Sequence, residues 1–200
     1  DDIVHVKGSL TPFEDFQDIN LELILSDINT LTKYLERVKK GKLPKKEKDI
    51  LVAQLDDLIN HLSDDNFASS FNFTEELINL NDLKLLTKKP MFVIANINDK
   101  TNENEIIEFK KNIPQDTHLV AIDVKTEQDI SELDTEDQQA FMRDMGLKEG
   151  ALFRIIKKGY ELLGLKTFFT SGPKETRAWA AKKDFNAREC SGIIHTDIQK

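Results

Sequence analysis

Apolar residues in the first third of the chain recur at helical spacing. Ile24, Ile28, Leu31, Leu35 and Val38 stand three or four apart with charged residues between them, which predicts an amphipathic helix from about residue 13 to residue 40. The spacing repeats at Leu51, Leu55, Leu58 and Leu62, after GKLPKK, where Gly41 suits a helix end and Pro44 cannot continue the ladder. Two helices joined by so short a turn predict an antiparallel hairpin. Their stripes are narrow and bury little, so the expectation is a protruding arm. Ahead of the hairpin, IVHVKG alternates like a short strand.

Beyond the hairpin, Thr74 can cap a helix carrying Leu77, Leu80 and Leu83. MFVIA and HLVAIDV are apolar runs of the kind expected of strands covered on both faces. Each is followed by helical periodicity, first in NEIIEFKKNI and then through Ile130, Leu133, Phe141 and Met145. That alternation predicts an α/β fold with a parallel sheet and crossover helices. Ligands of such sheets sit at the carboxyl ends of the strands, which here are residues 96–99 and 123–125. From Lys166 onward, KTFFT and ETRAWAA predict two short strands around SGPK, and GIIHTDIQK predicts another. The chain reads as stopping inside a small β-rich domain.

Composition narrows the function classes. A 200-residue chain with 39% hydrophobic residues can build a core, and 32% charged residues imply much exposed helix. No apolar run approaches the roughly 20 residues that span a bilayer, and the start lacks a basic region followed by an apolar one, so the expectation is a cytoplasmic protein without a membrane partner. Cys190 is the only cysteine, which removes an intrachain disulfide and a cysteine-based zinc site. The net charge of −8 is unevenly spread. Residues 33–48 carry eight Lys or Arg against two Glu, and residues 151–200 carry ten against five acids, leaving −19 for the rest. Two basic segments on an acidic body predict contact with a polyanion, and no DNA partner is expected.

Candidate chemistry is sparse. Asn96-Ile97-Asn98-Asp99 keeps the first and fourth residues of the Asn-Lys-x-Asp loop that reads guanine, where the carboxylate accepts from the ring N1–H and the exocyclic amine. None of the eight glycines begins G-x-x-x-x-G-K-[ST], so the chain lacks the loop that cradles phosphates and places Mg²⁺. On its own it is not expected to hydrolyse a nucleotide or to bind one tightly. The histidines at 5, 61, 118 and 195 show no metal-ligand spacing, and Ser171 lacks the nucleophile elbow. Trp179, Phe168 and Phe169 read as core of the small domain.

Five stretches together resemble the YchF, or Obg-like ATPase, family. They are DDIVHVKGSLTPFEDFQDINLEL, KPMFVIANIND, ISELDTEDQQAFMRDMGL, ALFRIIKKGYELLGLKTFFTSGPKETRAW and GIIHTDIQK. The resemblance implies the C-terminal part of an OBG-type P-loop NTPase domain over residues 1–29 and 86–165, with a partial parallel sheet. It implies an α-helical coiled-coil insertion over 30–85 and the start of a truncated β-grasp TGS domain over 166–200. It further implies a ribosome-associated hydrolase of ATP, or of GTP, that uses Mg²⁺ in its full length and meets the large subunit or the 70S ribosome. On these positions Asn96, Ile97, Asp99, Val124 and Lys125 would contact the base, and Lys39, Lys40, Lys45 and Lys46 would contact the ribosome or RNA. Asp99 stands where the family usually has glutamate, and Asp123-Val124 where it has Ser-Ala or Cys-Ala. The alternative is a non-catalytic ribosome- or RNA-binding module built on the basic tip and the TGS region.

Overall fold

The computed structural model describes residues 11–72, 80–98, 100–114, 117–146 and 149–197. The expected opening strand and the Thr74 cap lie outside them. The chain divides into two units, Asp1–Pro90 with Glu108–Pro114, and Met91–Ile107 with Gln115–Lys200.

The first unit is built on the helical hairpin. Helix α1 spans Pro12–Lys40, within a residue of the expected bounds, and α2 spans Lys45–Ser63 around the second leucine stripe. Pro12 at the first turn of α1 places its fixed φ where no N–H is needed. The two stripes close on each other. Leu31, Leu55, Leu58 and Leu62 are wholly buried, each contributing about 2–3 kcal/mol by removal from water. A 3-10 turn at Ala68–Ser70 and Leu85 complete this cluster, and a short helix α3 follows at Leu80–Leu83. At the base of α1, the Phe16 ring meets Phe109 edge-on at 6.1 Å.

One charged residue sits inside the cluster. Asp27, 2% exposed, accepts from the backbone N–H groups of Leu86 and Thr87 and from the Thr87 hydroxyl, each at 2.7 Å. The same hydroxyl oxygen accepts from Ala68 N–H at 3.1 Å. A buried carboxylate therefore ties the middle of α1 to both return segments.

The second unit holds two separate two-stranded sheets. Strand β1 (Phe92–Asn96) runs parallel to β2 (His118–Ile122), with α4 (Glu103–Asn112) as the crossover. Helices α5 (Val124–Ser131) and α6 (Thr135–Asp144) follow β2, and α7 (Ala151–Leu162) leads into the hairpin of β3 (Leu165–Ser171) and β4 (Thr176–Lys182). Gly164 joins α7 to β3 at φ +61°, a backbone state that side chains disfavour. Its carbonyl accepts from Lys183 N–H at 2.6 Å.

Three expectations need correction. The β1 strand is not covered on both faces: Ile94 is 45% exposed, because coverage of a face comes from elements stacked on it and not from the paired strand. The run GII does not form a strand but ends helix α8 (Ala187–Ile194). Asn186 accepts from Glu189 N–H at 3.0 Å while the Glu189 carboxylate accepts from Asn186 N–H at 2.7 Å, and this capping box starts a helix that overrides the β-branched run. Finally, Phe169 is 71% exposed and does not belong to a core. Strand alternation puts it opposite Phe168 and Trp179, which are half-buried. The Trp179 indole donates to Thr170 Oγ1 at 2.9 Å and lies under the Arg177 guanidinium, 4.2 Å from the ring centre.

Candidate functional site

The carboxyl ends of β1 and β2 bring the two expected base loops together. The parallel register sets Asn96 beside Ile122, and Ile97 N–H donates to the Ile122 carbonyl at 2.8 Å. Residues 96–98 therefore lie alongside residues 123–125. The Asn96 side chain is exposed and has no hydrogen-bond partner among the described residues, so its amide offers a donor and an acceptor to a ligand. Ile97 is half-buried and Val124 is 51% exposed, and these supply apolar surface. Lys125 is exposed. The acid of the loop, Asp99, lies outside the described residues.

Two residues that the sequence reading left unused shape this site. Asn98 Oδ1 accepts from Lys100 N–H at 3.0 Å and from the Thr101 hydroxyl at 3.1 Å, and Asn98 N–H donates to Thr101 Oγ1 at 3.2 Å. Asn98 is thus the pin of a local turn. Asp123 is the N-cap of α5: Oδ1 accepts from Thr126 N–H at 3.1 Å and Oδ2 from the Thr126 hydroxyl at 2.8 Å. Both oxygens serve the helix, which gives a structural reason for an acid at this position. An Asp followed three residues later by a residue with a free N–H was the available signal.

The bond to Thr126 N–H is the main cause holding the Asp123 carboxyl below its ordinary value of 3.8, partly offset by burial. A lowered value means that the ionised cap favours the folded state above the ordinary carboxylate range, and that this contribution fades as pH falls through the lowered value. Asp123→Ala is expected to cost about 1 kcal/mol at neutral pH. Thermal midpoints of the two proteins, compared from neutral pH into acid, should converge below the ordinary carboxylate range.

An exposed carboxamide beside apolar surface can read and cover a purine, whereas the sequence has no G-x-x-x-x-G-K-[ST] loop. Among the described residues no group of three or more His, Cys, Asp or Glu could hold a metal ion. No helix among them is long and apolar enough to cross a membrane.

The four lysines assigned to ribosome or RNA contact lie elsewhere, at the tip of the hairpin. Lys39 and Lys40 end α1 while Lys45 and Lys46 begin α2, and all four are exposed. Lys40 pairs with Glu36 at 3.2 Å, and Lys48 Nζ donates to the Gly41 carbonyl at 3.2 Å across the turn.

Residues 165–200 match the family model described as YchF-GTPase_C, protein of unknown function (DUF933). The whole chain aligns, at 39% identity over 212 residues, with 57% of the ribosome-binding ATPase YchF of Bacillus subtilis (strain 168). With the protein of the same name from Escherichia coli O157:H7 the identity is 37% over 205 residues, again covering all of this chain and 56% of that one. Among solved structures, that of the Schizosaccharomyces pombe YchF GTPase superposes with a TM-score of 0.80 at 26% identity, over 98% of this chain and 56% of the other. The chain thus spans somewhat more than half the length of the curated relatives it matches. Sequence likeness along its full length and agreement of fold lead to one conclusion: this chain belongs to the YchF family.

Proposed function

We propose that the chain provides the base-recognition loops and a ribosome-directed arm of a cytoplasmic, ribosome-associated nucleotide-binding protein that hydrolyses ATP, or GTP, in its full length. The observation that carries this reading is the Ile97 to Ile122 hydrogen bond, which holds the Asn96 loop against the start of α5. Asn96, Ile97, Asp99, Val124 and Lys125 contact the base in this proposal. The phosphates and Mg²⁺ are held by a P-loop outside the 200 residues, so water attack on the γ-phosphate is not a property of this chain. Residues 1–29 and 86–165 form part of the OBG-type domain, 30–85 its coiled-coil insertion, and 166–200 the beginning of a TGS domain. Support comes from the relatives, a ribosome-binding ATPase in two bacteria and a GTPase in Schizosaccharomyces pombe.

Calorimetry on the full-length protein tests the reading. ATP is expected to bind more tightly than GTP, and Asn96→Ala to weaken ATP by about tenfold through loss of hydrogen bonds to the base. Binding of neither nucleotide, or equal binding by the variant, contradicts the proposal.

The exposed lysines at the hairpin tip favour a second reading, in which the arm and the TGS region bind the ribosome and the nucleotide fold serves only as a scaffold. The two separate on one measurement: ribosome binding that is indifferent to nucleotide supports the second.

A further inference from the structure

Strand β2 has β1 on one side only among the described residues. Because Ile122 directs its carbonyl to Ile97, alternate residues of β2 face β1, and the N–H and C=O groups of Leu119 and Ala121 face the opposite edge. Residues 119–121 of β2 line a groove of about 360 Å³ together with Glu149 and residues of α7.

The groove carries an unsatisfied cation. Two of its three positive side chains are matched by acids of the same groove: Lys157 with Glu149 at 3.4 Å, and Lys158 with Glu161 at 3.0 Å. Arg154 has no such partner, and its Nε is shielded from solvent without a hydrogen bond. With both lysines matched, Arg154 leaves the groove one positive charge in excess, which favours an anionic occupant beside the open strand edge.

We propose that this edge binds an extended acidic peptide segment of a partner protein, which adds a third strand to the sheet and places a carboxylate on Arg154. The edge presents donors and acceptors in equal number, and only another backbone complements both. A phosphate or a nucleic-acid strand satisfies the N–H groups and leaves the carbonyls facing an anion. The planar fork of Arg154 suits a carboxylate accepting at two oxygens. This groove lies apart from the Asn96 and Asp123 loops, and the inference stands without the nucleotide reading.

The probe is the peptide acetyl-Val-Glu-Val-Glu-Val-amide, titrated to millimolar concentration into the ¹⁵N-labelled chain. Its binding is expected to shift the amide signals of Leu119 and Ala121. Arg154→Gln should weaken it by about tenfold, as should replacing both glutamates of the peptide by glutamine, and the two changes together should cost little more than either alone. If Arg154→Gln does not fold, the peptides decide on the native chain: one N-methylated on alternate residues must lose binding. Undiminished binding of the N-methylated peptide overturns the proposal. So does a shift of the same amides by inorganic phosphate or oligouridylate when the peptide gives none. A concentration-dependent shift without peptide would assign the edge to a second copy of the chain, and it too overturns the proposal.

Discussion

Replacing Asp27 with alanine is expected to remove about 3–5 kcal/mol of stability from the helical unit. The change deletes the acceptor of three hydrogen bonds at 2.7 Å and leaves two backbone N–H groups and a hydroxyl without it. Thr87 is 2% exposed, so water does not readily replace the carboxylate there. The loss also spreads, since Thr87 Oγ1 accepts from Ala68 and the Thr87 carbonyl from Ser69 N–H at 3.3 Å. Asp27→Asn separates charge from shape: it keeps one oxygen and turns an NH₂ toward a donor, and is expected to cost about 2–3 kcal/mol. Urea unfolding followed by helical circular dichroism should show a lower midpoint with unchanged slope for both, and amide exchange at Leu86 and Thr87 should quicken. A loss below about 1 kcal/mol for the alanine variant would mean that packing of Leu85, not the carboxylate, holds this segment.

Asp27 also marks where the sequence stopped being legible. The hairpin could be read because leucines at three and four spacing have one economical solution, and because Gly41 and Pro44 interrupt it at the right place. Asp27 lies on that same stripe, between Ile24 and Leu31, and an acid on an apolar stripe is itself a signal of a buried partner. The partner, sixty residues away, could not be named from periodicity. The parallel pair β1 and β2 was legible from two apolar runs separated by a helical one, whereas the coverage of their faces was not, because coverage depends on which elements stack there. In the last segment, a β-branched run outweighed the Asn186 and Glu189 pair that in fact starts α8. For the candidate site, the type of Asn96 and its place at a strand end were readable. The part played by Asp123 was not, since a carboxylate near a base and a carboxylate capping a helix look alike in one dimension.

Exchanging Lys39, Lys40, Lys45 and Lys46 together for glutamine is expected to lower ribosome affinity by about 10²–10³-fold near physiological salt, on the proposed function. If each lysine meets one phosphate, the slope of log affinity against log salt should flatten by about 3. The ion pair of Lys40 with Glu36 does not remove it from this count, because side chains 80% and 62% exposed hold each other weakly. Position separates this effect from misfolding. Lys39 and Lys40 stand in the last turn of α1, where cations favour the helix, but Lys45 and Lys46 stand in the first turn of α2, where the helix dipole opposes them. Two cations kept at the disfavoured end point to a use other than folding. Lys45→Gln with Lys46→Gln should therefore leave the thermal midpoint equal or raise it slightly while weakening binding. Lys39→Gln with Lys40→Gln should weaken binding by a similar factor at a small cost in stability, about 0.3–1 kcal/mol per lysine. Sedimentation of ribosomes with each variant across a salt series reads the binding. Affinity unchanged in the fourfold variant would place the ribosome contact on another surface, and the RNA-binding alternative would lose the tip on which it rests.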